Sequence, residues 1–178
     1  MTRLPPLDRV VDYANHPLRS PEMGVFLCAS CRFFVGNTSG LFIVSSVFGV
    51  PSALANIAPF AAMGFSPDDI CIPKLLRSRS NGRFLDFKEI LASPVSNYRM
   101  GRLYEEAGIE LVDNTAEEIE ELVVEMIDRI EGKSAAYADF ELLQWRFKSL
   151  LRPTHYCYAS ASRIGARFLS RHQELLEQ

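Results

Sequence analysis

The sequence predicts an α/β protein with a mostly parallel sheet, helices on both faces and additional helices at the carboxyl end. Short apolar segments alternate with helical periodicities, and neither an internal repeat nor a low-complexity linker interrupts them. At 178 residues, 48% of them hydrophobic, the chain can bury a core of its own. We expect one domain over 1–178, with an α/β core over about 1–135 and C-terminal helices over 136–178.

The first predicted elements are a strand and a capped helix. Arg9 to Tyr13 forms a short, largely apolar run and predicts a strand. Ser20 is a suitable N-cap and Pro21 a suitable first helical residue, so a helix is expected to run to about Ser30.

A stretch without charge follows, because no Asp, Glu, Lys, Arg or His occurs from Phe33 to Pro67. Phe33 to Gly36 is apolar on both sides, which predicts a central strand covered on each face. Leu41 to Phe48 predicts a buried crossover helix that a glycine ends, and Ser52 to Ile57 a second buried strand. The stretch from Phe33 to Ile57 therefore predicts a βαβ unit.

A membrane span is the alternative interpretation of this stretch. Its longest mostly apolar run, Leu41 to Val50, is shorter than the roughly 18 residues that a span requires. The N-terminus has no apolar segment typical of a secretory signal. We therefore expect no membrane span and a cytoplasmic location.

The second half predicts one long helix and several shorter elements. Ala116 to Glu131 has apolar residues at helical spacing, Thr115 with Glu118 forms a capping box, and Gly132 follows the last turn. The shorter elements are strands at Ile70 to Pro73 and Ile109 to Val112, and helices at Asp86 to Ala92, Phe140 to Leu151 and about Ser162 to Leu176.

Charge and cysteines exclude several classes of function. With 19 Lys and Arg against 22 Asp and Glu, the net charge of -3 gives no general attraction for nucleic acid. Cys28 and Cys31 form a C-x-x-C pair, but His155 and Cys157 lack the spacing of a second zinc half-site. We expect ordinary core cysteines, no metal and no cofactor.

The sharpest local signal is the turn Asn37, Thr38, Ser39, Gly40, which joins a predicted strand to a predicted helix. Ligands of open α/β sheets bind at the carboxyl ends of strands, where N–H groups of the first helical turn can hold a phosphate. Hydroxyls could donate to phosphate oxygens, or could merely cap the helix. The residue types alone leave both interpretations open.

The run from Cys31 to Pro51 resembles the donor-side motif of GT-B-type glycosyltransferases, similar to heptosyltransferases. In that motif a strand, a G-x-[DN]-[ST]-G-like turn and an apolar helix that ends in Gly-x-Pro bind a nucleotide-sugar diphosphate. Several further blocks resemble a bacterial family of putative glycosyltransferases, so the resemblance covers nearly the whole chain: Leu4 to Ala14, Asp69 to Lys74, Tyr104 to Thr115 and Arg163 to Gly165.

The resemblance implies a Rossmann-like, donor-binding domain whose ligand is a nucleotide sugar or a nucleoside diphosphate. It implies phosphate binding by Asn37 to Gly40 and by Lys74. Members of that family have a preceding half that binds the acceptor, and by resemblance this chain begins near the family's middle. No catalytic residue is carried over, because the family's base belongs to that preceding half.

Lys74 opens a segment with four cations in ten residues and no acid. After a predicted strand end, Lys74 could reach a diphosphate and Arg79 could assist, whereas Arg77 and Arg83 are expected at the surface. His16 follows the first predicted strand and could face the same cleft, although loop histidines are usually solvated.

Two other functions remain open from the sequence. A non-catalytic remnant or interaction module would self-associate or bind a partner chain through surface that the family's other half normally covers, including the last two helices. A small α/β enzyme that acts on a phosphorylated metabolite would bind phosphate without preference for a nucleoside.

Overall fold

The computed structural model of the protein describes residues 2–62, 64 and 66–176. Within these residues the strands are β1 (Phe34–Gly36), β2 (Ser52–Ile57), β3 (Ile70–Pro73), β4 (Leu75–Ser78), β5 (Ile109–Val112) and β6 (Arg163–Ile164). Four of them form a parallel sheet in the order β1-β2-β3-β6, and β4 and β5 form a separate antiparallel pair. Helices flank the parallel sheet, which confirms the predicted α/β class.

The α-helices of the described residues are α1 (Pro21–Ser30), α2 (Gly40–Val47), α3 (Phe87–Ala92), α4 (Gly101–Glu106), α5 (Ala116–Ile130), α6 (Glu141–Ser149) and α7 (Ala166–Arg171). Short 3-10 helices lie at Tyr13–Asn15, Pro94–Asn97, Ser134–Phe140 and Gln173–Leu176.

The predicted βαβ unit is present as β1, α2 and β2. Phe34 pairs with Ser52 and Gly36 with Leu54 in parallel register. The chain leaves α2 through Gly49, whose φ of 73° suits a residue without a side chain. The preceding α1 begins as predicted, because the Ser20 hydroxyl accepts a hydrogen bond from the Met23 N–H at 3.1 Å.

The core lies around β2 and β3, the most deeply buried strands of the parallel sheet. Three rings beside these strands pack together: Phe60 and Phe87 have centroids 5.3 Å apart, and Phe147 lies 6.0 and 5.5 Å from them. This cluster fixes α3 and α6 to the loop after β2, since Phe87 lies on α3 and Phe147 on α6.

The long helix α5 confirms the sequence prediction in detail. Thr115 and Glu118 make both hydrogen bonds of the capping box, at 3.2 and 2.8 Å. Leu122 and Met126 are buried in the core. A Cβ on Gly165, just before α7, would come within 2.9 Å of Ile72, so the chain passes close to β3 only because this residue is glycine.

The two outer strands of the parallel sheet end differently. At β6, Gln144 of α6 is 3% exposed and holds the outer backbone groups of Ile164. Its Oε1 accepts from the Ile164 N–H at 3.2 Å, and its Nε2 donates to the Ile164 carbonyl. The amide side chain thus pairs with β6 as a further strand would. At β1, pairing within the described residues involves β2 alone.

Three predictions about the amino-terminal third are wrong. Arg9 to Tyr13 contains no strand; it forms turns and the start of a 3-10 helix. The strand β1 is at the edge of the sheet and not at its centre, with Val35 45% exposed. The helix α2 buries Phe42 but exposes Val47 by 76%, so it is not a buried crossover.

Three elements were missed by the sequence prediction. The cationic segment after Lys74 contains β4, which pairs with β5. Arg77 of β4 lies opposite Glu110 of β5. The helix α4 begins at a glycine, which is a poor helix former and gives little signal. Residues Arg163 and Ile164 form β6, so Ser162 precedes a strand and the last predicted helix, α7, begins only at Ala166.

Candidate functional site

The predicted site residues lie at the carboxyl edge of the parallel sheet. The strand β1 ends at Gly36 and leads through Asn37 to Ser39 into α2. Lys74 follows the last residue of β3 directly. Because parallel strands end at a common edge, the turn and Lys74 share that edge, and about 10 Å of sheet separates strands two apart.

The amino end of α2 is open to solvent. Ser39 is the N-cap, with φ -91° and ψ 165°, yet its side chain makes no capping hydrogen bond. A Cβ built on Gly40 would meet no heavy atom within 4 Å. The first-turn N–H groups of a helix lack intrahelical partners and carry the positive end of the helix dipole. An anion could therefore approach this end without displacing a side chain.

The two hydroxyls of the turn have different surroundings. Thr38 Oγ1 donates to the carbonyl of Ala58, in the loop after β2, at 3.2 Å. Its single hydrogen therefore links two loops, and Thr38 can offer a ligand only acceptor lone pairs while this bond persists. Ser39 is exposed and remains the turn's candidate hydroxyl donor.

Gly36 lies close to the side chain of its neighbour Phe34 on the same strand. A Cβ at this position would lie 2.5 Å from the Phe34 ring, so the absent side chain leaves room for that ring. Positive φ values among the described glycines occur at Gly49, Gly82, Gly108 and Gly132, and Gly36 is not one of them. A sharp backbone turn is thus not the reason for this glycine.

Lys74 is engaged at the same edge. Its backbone N–H donates to the carbonyl of Ile57 at 3.1 Å, which fixes it beside the end of β2. Its ammonium forms an ion pair with Asp113, and the two side chains are 24% and 69% exposed. The cation is therefore partly buried and held by a solvent-exposed carboxylate.

Two asparagines behind this edge were not predicted. Asn56 and Asn114 each donate a backbone N–H to the other's side-chain oxygen, at 2.6 and 2.7 Å. The Asn114 amide also donates to the carbonyl of Pro73 at 2.9 Å. Asn56 adopts a φ of 56°, which asparagine tolerates better than most residues. The signal in the sequence was an asparagine within an apolar strand, which is unfavourable unless its amide is used.

Two other cations of the predicted segment, Arg77 and Arg83, bind carboxylates outside the turn. Arg77 makes two hydrogen bonds of 2.9 Å to Glu110 on the small sheet. Arg83 holds Glu89 through bonds of 2.8 and 2.5 Å. The side-chain hydrogen bond from Arg83 lowers the pKa of the Glu89 carboxyl to about 2. Both arginines therefore serve surface ion pairs.

The other chemically notable residues are structural or solvated. All four cysteines are free thiols, and burial raises the pKa of Cys71 to about 12 and also raises that of Cys31. His155 is buried between the Leu91 carbonyl and the Arg152 N–H. His16 lies at the surface, where its Nδ1 accepts from the Leu18 N–H at 3.2 Å.

Neither a metal cluster nor a membrane-spanning helix is found in the part of the chain that the structure describes. No three His, Cys, Asp or Glu side chains of residues 2–62, 64 and 66–176 gather closely enough to hold an ion. Across the same residues, every helix is too short or too polar to cross a bilayer.

Comparison with known proteins adds no relative to this picture: no family model, no curated protein and no solved structure matches the chain.

Proposed function

We propose that the protein is the nucleotide-sugar-binding domain of a glycosyltransferase that transfers a sugar to an acceptor hydroxyl. The observation that carries the proposal is the uncovered amino end of α2 at the carboxyl edge of a parallel sheet. Ser39 leaves the capping position without a side-chain hydrogen bond, and Gly40 leaves the space before the helix empty. The resemblance of this turn to the donor-side motif of GT-B enzymes gives the ligand class.

In this proposal the diphosphate of the donor lies against the first turn of α2. Backbone N–H groups donate to its oxygens, and the Ser39 hydroxyl adds a further donor. When the sugar leaves, negative charge develops on the diphosphate, and the positive end of the helix dipole stabilises it there. The turn thus binds the leaving group more strongly as the sugar departs.

Lys74 could exchange its ionic partner for the ligand in this arrangement. Its side chain is paired with the exposed carboxylate of Asp113, and a phosphate oxygen could replace that partner. Exchange of one anionic partner for another keeps the partly buried ammonium compensated. Lys74 therefore favours a ligand long enough to extend from the turn after β1 toward the end of β3.

Calorimetric titration with UDP, ADP, GDP and CDP tests the proposal. We expect one of them to bind, and Gly40→Asp to weaken its affinity about 100-fold or more, because a carboxylate would occupy the phosphate position. Gly101→Asp is the matched control, since Gly101 also begins a helix, is exposed and has no heavy atom near its Cβ position. It should leave the affinity unchanged.

Absence of binding by all four nucleotides at millimolar concentration would contradict the proposal, as would an equal effect of the two substitutions. Pyrophosphate provides the comparison for the other ligand class. If it binds as tightly as the best nucleoside diphosphate, the site recognises phosphate alone and the protein acts on a phosphorylated metabolite.

A second candidate function is that of an interaction module, and the surface of the first third of the chain favours it. Phe26 on α1 and Val47 on α2 are 60% and 76% exposed, whereas soluble monomers rarely leave large apolar patches uncovered. The sequence predicted an interaction surface that includes the last two helices, and that surface is also partly apolar, since Trp145 on α6 is 67% exposed. Light scattering distinguishes this candidate, because a strictly monomeric chain would contradict it.

A further inference from the structure

The open edge of β1 carries backbone groups that the sheet does not use. The Phe34 N–H donates to the Pro51 carbonyl at 2.9 Å, so Phe34 directs its backbone groups toward β2. Successive residues of a strand direct these groups to opposite sides. The N–H and carbonyl of Val35 therefore point away from β2, toward the open side.

The strand β1 is short, with three residues, but other usual protections of an edge strand are absent from it. Natural edges carry charged side chains, prolines or bulges, or they are covered by another element. The strand Phe34–Gly36 has none of the first two, its register with β2 is regular, and among described residues only β2 pairs with it. An edge in this condition is ready to pair with another strand.

Helices with exposed apolar residues precede and follow β1 in the sequence. The helix α1 ends shortly before β1, and α2 begins shortly after it. The two helices meet at a groove of about 560 Å³, where Leu27 of α1 and Leu41 of α2 line the walls. Val25, Leu27 and Leu41 line this groove and are 45%, 42% and 55% exposed, and Arg19 lines it as well.

We propose that this open edge joins two copies of the chain, with β1 pairing antiparallel to β1 of the second copy. The pairing centres on Val35, whose outward N–H and carbonyl meet the same groups of its counterpart and form two reciprocal hydrogen bonds. The two parallel sheets then become one continuous sheet. The exposed apolar side chains of α2 lie beside the twofold axis and are covered in the dimer.

The lack of charge makes a second copy the fitting occupant. In a twofold interface each residue near the axis meets its own type, so any charge there would face a like charge. The stretch from Phe33 to Pro67, which contains β1 and α2, has no ionisable side chain and avoids that repulsion. A charged partner protein would find no complementary group along this stretch.

Sedimentation equilibrium on the full chain, followed over a range of concentrations, tests the interface. We expect a monomer–dimer equilibrium in the wild type. Val35→Lys should weaken it about 100-fold or more, because two ammonium groups would face each other across the axis. The matched control is Val124→Lys on α5, since Val124 is 44% exposed and Val35 45%. Circular dichroism establishes that both variants are folded.

Cysteine cross-linking tests the register of the pairing. Residues in a hydrogen-bonded antiparallel pair have Cα atoms about 5.5 Å apart, within reach of a disulfide. Val35→Cys should therefore give a covalent dimer under mild oxidation, whereas Val124→Cys and the wild type should not. The wild type controls for Cys31, the one cysteine of the chain that is not buried.

Several results would overturn the proposal. They are a wild-type chain that is only monomeric or forms only larger assemblies, a Val35→Lys variant that associates as tightly as the Val124→Lys variant, and a Val35→Cys variant that does not cross-link. None of these measurements depends on a bound nucleotide, so the failure of either proposal is distinguishable from the failure of the other.

Discussion

The two edge strands of the parallel sheet differ in whether their outer backbone groups are hydrogen-bonded. At β6 the buried amide of Gln144 takes up both outer backbone groups of Ile164. At β1 the outer groups of Val35 face the open side, and the residue is 45% exposed. The small sheet differs from β1 in carrying charged side chains, since Arg77 of β4 pairs with Glu110 of β5.

The difference shows that protection of this sheet is local. A single glutamine suffices for β6 because that strand has only two residues. The β1 edge lies in the stretch without charge, where no ionic side chain is available to blunt it. One edge is thus completed by the chain itself, whereas the other pairs only with β2 among the described residues.

Gln144→Leu should have the largest effect, because it opens the protected edge. The substitution leaves the buried N–H and carbonyl of Ile164 without partners, and each such group costs about 1–3 kcal/mol. We expect a loss of about 2–4 kcal/mol in the free energy of unfolding, measured by urea denaturation. Gln173→Leu, at an exposed position, should change it by less than about 0.5 kcal/mol. Equal effects of the two would contradict the assigned role of Gln144.

The open edge should affect stability only through association. A partner present at 100 times its dissociation constant stabilises the folded state by about 2.7 kcal/mol. The thermal midpoint of the wild type should therefore rise with protein concentration, as scanning calorimetry can measure. In Val35→Lys the midpoint should not depend on concentration. A concentration-dependent midpoint in that variant would mean that the chains associate through another surface.

Thr38→Val should have a smaller effect, since the loop after β1 is held by one hydroxyl where β6 is held by two bonds. The lost hydrogen bond to the Ala58 carbonyl should cost about 1 kcal/mol of unfolding free energy. Nucleotide affinity should fall less than in Gly40→Asp, because the Thr38 hydrogen is already donated within the protein. Urea denaturation and calorimetric titration measure the two quantities. A larger loss of affinity than in Gly40→Asp would assign Thr38 a direct contact.

The smallest expected effect lies in the charged part of the molecule and depends on pH. The Glu89 carboxyl has a pKa of about 2, below its ordinary value of 4.5, because Arg83 donates hydrogen bonds to it. Its contribution to stability is complete above pH 4.5 and is lost as the pH falls from there toward about 2. NMR titration of Arg83→Met should return the pKa toward 4.5. An unchanged value would exclude Arg83 as the cause.

Local rules predicted the elements whose determinants are adjacent in sequence. The capping box of α5, the Ser20 cap of α1 and the glycine after α2 all lie within one turn of the structure that they define. The βαβ unit was predicted for the same reason, since its strands, helix and stop signals are contiguous. The turn Asn37 to Gly40 could be placed at the carboxyl edge because that position follows from the βαβ order.

Long-range neighbours decided what could not be predicted. An apolar segment indicates that a surface requires cover, but not which element supplies the cover. For this reason β1 and α2 were predicted as buried, whereas the described chain leaves Val35 and Val47 exposed. The two-residue strand β6 is defined by its pairing with β3 and by Gln144, both far away in sequence. The same holds for the ion pair between Lys74 and Asp113.

The reciprocal amides of Asn56 and Asn114 have a consequence for local opening. Each backbone N–H is held by the other residue's side chain, so neither can exchange its hydrogen with solvent until the residues separate. The Asn114 bond to the Pro73 carbonyl extends the same unit to the end of β3. We therefore expect the carboxyl ends of β2 and β3 to open together with the start of α5. Slow hydrogen exchange should extend beyond the strands to the backbone N–H of Asn114.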